Sequence, residues 1–116
     1  VAAPIGPYTP IVRAGDWLIC SGQIGASDGE LADGVEAQVK QAVENIAELL
    51  ASEGASLHDV VKTTVFLVDM DDYATMNQVY LTAFDGHRPA RSAVAVAALP
   101  TGARVEIEAW AYAPAG

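Results

Sequence analysis

Arg91 is the residue of this chain best placed to hold an anion. It follows Pro89 and Ala90 and opens an alternating run that reads as a strand. An arginine at a strand start presents a planar fork that pairs bidentately with a carboxylate. The plainer reading is a local salt bridge in an acidic protein, and the segment Arg88-Pro89-Ala90-Arg91-Ser92 taken alone favours it. Glu106 and Glu108 stand two residues apart on another strand-like run, so they share a face. One of them could act as a general base on water. On the pair alone an exposed polar face is the favoured reading. A glycosidase-type carboxylate pair is conceivable, but nothing else in the chain looks built to hold a sugar.

Other chemistries find less support. His58 and His87 are the only histidines and lie in unrelated segments, so a metal site would need an unusual mixed ligand set. His58, within Ser56-Leu57-His58-Asp59, reads as a turn residue. Cys20 precedes Ser21 and Gly22 with no CxxC pattern and reads as a buried structural thiol. Lys40 falls on a solvated helix face, and Lys62 reads as structural within a strand. There is no P-loop and no dinucleotide fingerprint, so no cofactor is expected. Gly22 could allow a turn or let a ligand approach the backbone. Tyr8 could pack, or stack on a ligand.

The elements that must position these residues are short, and they fit one domain, residues 1–116. A hairpin is expected from Ile11–Arg13 and Trp17–Ser21 around Ala14-Gly15-Asp16. It follows a turn-rich Pro4-Ile5-Gly6-Pro7-Tyr8, and Gly22–Asp33 reads as loop. Val35, Val39, Val43, Ile46 and Leu50 recur at helical spacing and predict a helix over Val35–Ala51. Val60–Val68 reads as a strand. Asp71–Phe84 reads as a second helix with Tyr73, Met76, Tyr80 and Phe84 on one side, capped by Asp71 or Asp72. Strands Arg91–Ala97 and Ala103–Tyr112 flank Leu99-Pro100-Thr101-Gly102, which predicts an antiparallel hairpin. The order ββαβαββ is that of an α+β layer, two helices on one sheet.

Alternation divides the last two strands between faces. Val105, Ile107, Ala109 and Ala111 are assigned to the helix side with Ser92, Val94 and Val96. Arg91, Ala93, Ala95, Ala97, Arg104, Glu106, Glu108 and Trp110 then fall on the helix-free face. Small alanines there would admit another subunit's sheet, so that face is expected to border an inter-subunit cleft.

Composition narrows the partners. Fifteen Asp and Glu against six Lys and Arg leave a net charge of −9. Nucleic-acid affinity comes mainly from cations neutralising phosphates, so nucleic acid is a poor partner, as is an anionic membrane surface. Nothing resembles a signal peptide, no apolar run is long enough to span a bilayer, and the single cysteine forms no intrachain disulfide. A cytoplasmic location is the expectation.

The blocks Ile5-Gly6-Pro7-Tyr8, Ser21-Gly22-Gln23-Ile24, Gly54-Ala55-Ser56-Leu57, Val60-Val61-Lys62-Thr63-Thr64-Val65-Phe66-Leu67, Asp71-Asp72-Tyr73, Met76-Asn77, Tyr80, Pro89-Ala90-Arg91-Ser92, Ala98-Leu99-Pro100 and Val105-Glu106-Ile107-Glu108-Ala109 occur in order. In this the chain resembles the RidA/YjgF family of reactive-intermediate deaminases along nearly its whole length. The resemblance implies a chorismate-mutase-like fold with a mixed sheet, and a homotrimer with clefts between subunits. It implies cofactor-free hydrolysis of 2-iminobutanoate, 2-iminopropanoate and their enamine tautomers to keto acids and ammonia. It further implies that Arg91 clamps the substrate carboxylate and Glu106 orients or activates water. Tyr8 would close over the ligand, Gly22 would lend a backbone group, and Asn77 would line the cleft. Many relatives carry Cys or Thr at the position of Ala93; its implied role is a backbone N–H to the carboxylate, which Ala supplies equally. Three other readings stay open: a non-catalytic amino- or keto-acid binding module, an RNA-directed translation inhibitor or ribonuclease, and a chaperone-like holdase.

Overall fold

The computed structural model describes residues 6–115. The helical repeat of Val35, Val39, Val43, Ile46 and Leu50 forms α1 (Val35–Ser52), with all five side chains buried. The second helix, α2 (Tyr73–Ala83), buries Met76 and Tyr80, with Phe84 buried just beyond it, while Tyr73 stays exposed. It begins later than the sequence suggests because Met70–Asp72 form a tight 3-10 turn. Asp72 occupies the cap position but makes no side-chain capping bond; Arg104 holds its carboxylate instead. Of the N-terminal turn residues, Pro4 and Ile5 lie outside the described residues.

The strands are β1 (Ile11–Ala14), β2 (Trp17–Ile24), β3 (Ala26–Ser27), β4 (Glu30–Leu31), β5 (Val60–Leu67), β6 (Ala90–Ala95) and β7 (Val105–Tyr112). Five of them build one mixed sheet in the order β1-β2-β7-β5-β6, in which only the β5–β6 pair is parallel. β3 and β4 form a separate small hairpin inside the segment read as loop. The expected α+β layer of two helices on one sheet is present.

The expected hairpin between the last two strands is not. β6 pairs only with β5, and β7 inserts between β2 and β5. The segment 96–104 passes over the end of β5, donating Val96 N–H to Leu67 O at 2.8 Å and accepting at Arg104 O from Val68 N–H at 3.2 Å. The physical reason lies in β7 itself. Val105, Ile107, Ala109 and Ala111 are fully buried, a row that a strand at the sheet edge would leave partly wet. β6 reaches its parallel place beside β5 through the α2 crossover.

The face assigned to Arg91 is corrected as well. Arg91, Ala93 and Ala95 pair in register with Thr63, Val65 and Leu67, all three of which are fully buried on the helix side. Arg91 and Ala93 therefore point to the helix side, and Ser92 and Val94 to the open face, where Val94 is 43% exposed. Alternation fixes which residues share a face, not which face is covered. A long apolar stem lets an arginine lie over the rim of a core while its head stays polar. The open face carries the expected Trp110 with Trp17 and Tyr112 beside it, but not the expected alanines of β6.

One buried amide ties the layers together. Gln38 on α1 is 3% exposed. It donates to Ala32 O at 3.0 Å and accepts from Arg104 N–H at 2.8 Å, just before β7. The Arg104 guanidinium then grips both Asp72 oxygens at 2.8–2.9 Å at the start of α2. Replacing Gln38 by Ala strands two backbone groups and should cost about 1–3 kcal/mol of stability. Urea unfolding monitored by circular dichroism measures it; an unshifted midpoint would show that the amide is dispensable.

Candidate functional site

Arg91 sits near the start of an edge strand and leans over α2. Its guanidinium lies 5.0 Å from the Tyr80 ring centroid and 5.7 Å from that of Tyr73. It donates to Tyr73 Oη at 3.2 Å and to Met76 Sδ at 3.7 Å. Tyr80 is fixed below by a buried 2.6 Å hydrogen bond with Thr63 Oγ1. Burial pushes the Tyr80 hydroxyl above the ordinary tyrosine range, partly offset by the Thr63 bond and the Arg91 charge. Aromatic faces and a thioether hold a cation in place without neutralising it. Among the described residues no carboxylate lies within 4 Å of Arg91. With Asn77, Tyr80, Leu81, His87, Arg88 and Pro89 it lines a cavity of about 310 Å³.

Glu106 stands on the opposite, open face, in register with Ile24 of β2 and Phe66 of β5. The register of β2 on β7 slips between Cys20 and Gln23, and Gly22 lies inside that bulge. A Cβ on Gly22 would meet the Glu106 carboxylate, with its Cδ only 2.7 Å away. Glycine there lets the carboxylate lie flat against the strand, a use of bulges common beside functional groups. Burial raises the Glu106 carboxyl above the ordinary glutamate range, and the neighbouring Glu108 charge raises it further. Tyr8, Ser21, Gly22, Ile24, Pro100 and Glu106 line a second cavity of about 210 Å³. The segment bearing Tyr8 is strapped to β2 by Ser21 Oγ donating to Thr9 O at 2.7 Å and by Ser21 N–H donating to Pro10 O at 2.8 Å.

The residues singled out in the sequence thus fall into two groups. Arg91, Asn77 and Ala93 belong to the α2–β6 rim, with Ala93 packed against the core beside Arg91. Tyr8, Gly22 and Glu106 belong to the open face. The two cavities share no residue. Sequence reading missed the cradle of Arg91: Tyr73, Met76 and Tyr80 were visible at helical spacing but read as packing. It also missed Ser21, Ile24 and Pro100. A larger cavity, about 470 Å³ between α1 and α2, contains none of the residues assigned a role. His58 and His87 do meet, with ring centroids 5.6 Å apart; among the described residues no cluster of His, Cys, Asp or Glu could hold a metal. Cys20 is buried and its thiol is pushed up to about 12, which makes it a poor nucleophile.

A family model described as Endoribonuclease L-PSP matches residues 1–113. The chain is 49% identical over 110 residues to the mouse protein named 2-iminobutanoate/2-iminopropanoate deaminase, covering 92% of this chain and 82% of that protein. Among solved structures it resembles the YjgF gene product of E. coli (43% identity, TM-score 0.91, 95% of this chain and 91% of that one). It also resembles E. coli TdcF with bound serine (40% identity, TM-score 0.90, 94% and 90%).

The Glu106 environment can be measured directly. A carboxyl NMR titration should place Glu106 above the ordinary glutamate value. Glu108→Gln should lower it by removing a like charge, and Gly22→Ala should lower it by pushing the carboxylate into water. A Glu106 titration insensitive to both substitutions would refute this account of its surroundings.

Proposed function

The chain belongs to the family described as Endoribonuclease L-PSP, the RidA/YjgF family, and from that premise we propose that it hydrolyses 2-imino acids and their enamine tautomers to 2-keto acids and ammonia. Its substrates are 2-iminobutanoate and 2-iminopropanoate, those named for its 49% identical mouse relative. The observation that carries the reading is a pair of complementary groups: an arginine held without a carboxylate partner and a glutamate whose carboxyl is raised by burial.

The reaction asks little of a protein beyond placement. A protonated C=N carbon is already electrophilic. Arg91 holds the substrate carboxylate in its fork. Glu106, raised toward the working pH, takes a proton from water as the oxygen bonds to C2 and returns it to the departing nitrogen. C=N becomes C=O and ammonia leaves. Fixing substrate and water together converts an encounter into a positioned reaction. Tyr8 and Gly22 border the Glu106 side, and Asn77 and Ala93 the Arg91 side. No metal or cofactor enters this scheme.

Arg91 and Glu106 of one protomer face opposite sides of one sheet, so in this proposal they act across a subunit boundary. A homotrimer repeats one heterologous contact and creates three such clefts. The open face with Trp17, Val94 and Trp110 exposed is the surface that assembly would cover. A buried, unpaired thiol suits a cytoplasmic location, and among the described residues no helix is long and apolar enough to cross a membrane. The family description names a ribonuclease, yet a net charge of −9 repels a polyphosphate backbone.

Arg91→Ala should leave a folded protein and lose on the order of 2–5 kcal/mol of transition-state binding, roughly 30- to several-thousand-fold in kcat/KM. Arg91→Lys should rescue poorly for want of the planar fork. Glu106→Gln should chiefly lower kcat. Light scattering should report three chain masses. Co-refolding equal amounts of Arg91→Ala and Glu106→Gln should recover about a quarter of wild-type activity, the share of clefts that draw both intact groups from two protomers of a ring. A folded, fully active Arg91→Ala would sink the carboxylate anchor; absence of complementation in confirmed mixed trimers would sink the shared cleft.

A further inference from the structure

We propose that Arg88 gives the Arg91 cavity a second anion-binding position, so that this chain prefers imino acids carrying a second carboxylate on the side chain. The proposal rests on the imine-hydrolase reading above and specifies its substrate class.

The chain has 15 acidic and 6 basic residues, so an arginine without a carboxylate needs a reason. Arg13 pairs with Glu53 and Arg104 with Asp72. Arg88 and Arg91 pair with none among the described residues, although they sit three residues apart and line the same cavity of about 310 Å³. Two like charges lining one cavity favour an anion between them. Two cations without carboxylate partners lining one small cavity describe a ligand with two anionic groups.

The segment is also held in place. After α2, Gly86 N–H donates to Leu81 O and His87 N–H to Phe84 O, both at 3.0 Å, and His87 Nε2 lies 2.8 Å from Val60 O. Pro89 restricts the Arg88 backbone to an extended form. Arg88 is therefore presented from a fixed point. 2-Iminobutanoate ends in a methyl group that gains nothing from a guanidinium, whereas a side-chain carboxylate forms a charge-assisted pair. The chemistry is unchanged: the water oxygen bonds to C2, the C–N bond breaks, the nitrogen leaves as ammonia with the protons of water, and a 2-oxo dicarboxylate results. The second carboxylate only binds.

The test uses the intact protein with imino acids generated in situ by amino-acid oxidases, from glutamate and from 2-aminobutyrate, with semicarbazide trapping the imine that escapes hydrolysis. The wild type should favour the dicarboxylic imine by roughly five- to tenfold in kcat/KM, the scale of a charge-assisted hydrogen bond at a half-open site. Arg88→Ala should bring the ratio towards one, Arg88→Lys should retain part of it, and Arg88→Glu should reverse it. Calorimetric binding of 2-oxoglutarate against 2-oxobutanoate should follow the same order without turnover. Equal handling of both substrates by the wild type and Arg88→Ala, with 2-iminobutanoate still hydrolysed, overturns this proposal and leaves the imine-hydrolase reading standing. Hydrolysis of neither overturns both.

Discussion

Val105, Ile107, Ala109 and Ala111 are completely buried on one side of β7, while Glu106, Glu108 and Trp110 stand on the other, and the arrangement of the whole sheet follows from that division. A row of apolar side chains this dry needs neighbours on both edges and a helix layer above. β7 therefore takes the centre between β2 and β5, and the chain must carry it across the end of β5 to get there. The same placement puts Glu106 in the middle of the open face, flanked by strands on both sides. The flanking strands remove water from its carboxyl without supplying a cation, which is why its proton affinity rises.

The opposite solution operates at Arg91. An edge strand next to α2 offers aromatic faces and a thioether, so the guanidinium is oriented by polarisable groups that leave its charge uncompensated. Elsewhere the chain spends carboxylates on its arginines: Arg104 binds both oxygens of Asp72, and Arg13 meets Glu53. Carboxylate-paired and unpaired arginines are thus separated by what they touch rather than by where they fall in the sequence.

The two groups share a chain but not a face, and the open face that carries Glu106 is unusually aromatic. Trp17 stacks edge-on with Trp110 at 6.3 Å and with Tyr112 at 5.2 Å, yet all three remain exposed. Soluble monomers seldom leave a contiguous patch of this kind uncovered. In the trimer proposed above, one contact would cover this patch and bring one protomer's carboxylate towards its neighbour's arginine.

Periodicity, which is a local property, was enough to place α1 and its five buried residues, the β1–β2 hairpin, the α+β order and the apolar row of β7. Motif blocks were enough to single out Arg91, Glu106 and Gly22. Strand partners were not legible, because Leu99-Pro100-Thr101-Gly102 looks the same whether the chain turns back on β6 or steps over β5. The face of Arg91 was not legible either: a period of two sorts residues into two sets, and only the helices packed above decide which set is covered. Tyr73, Met76 and Tyr80 became a cradle, and Gly22 a seat for Glu106, only once residues far apart in the chain were brought together. That step depends on how the sheet is ordered, and the order is settled by burying β7 on both edges, an energy no single segment carries.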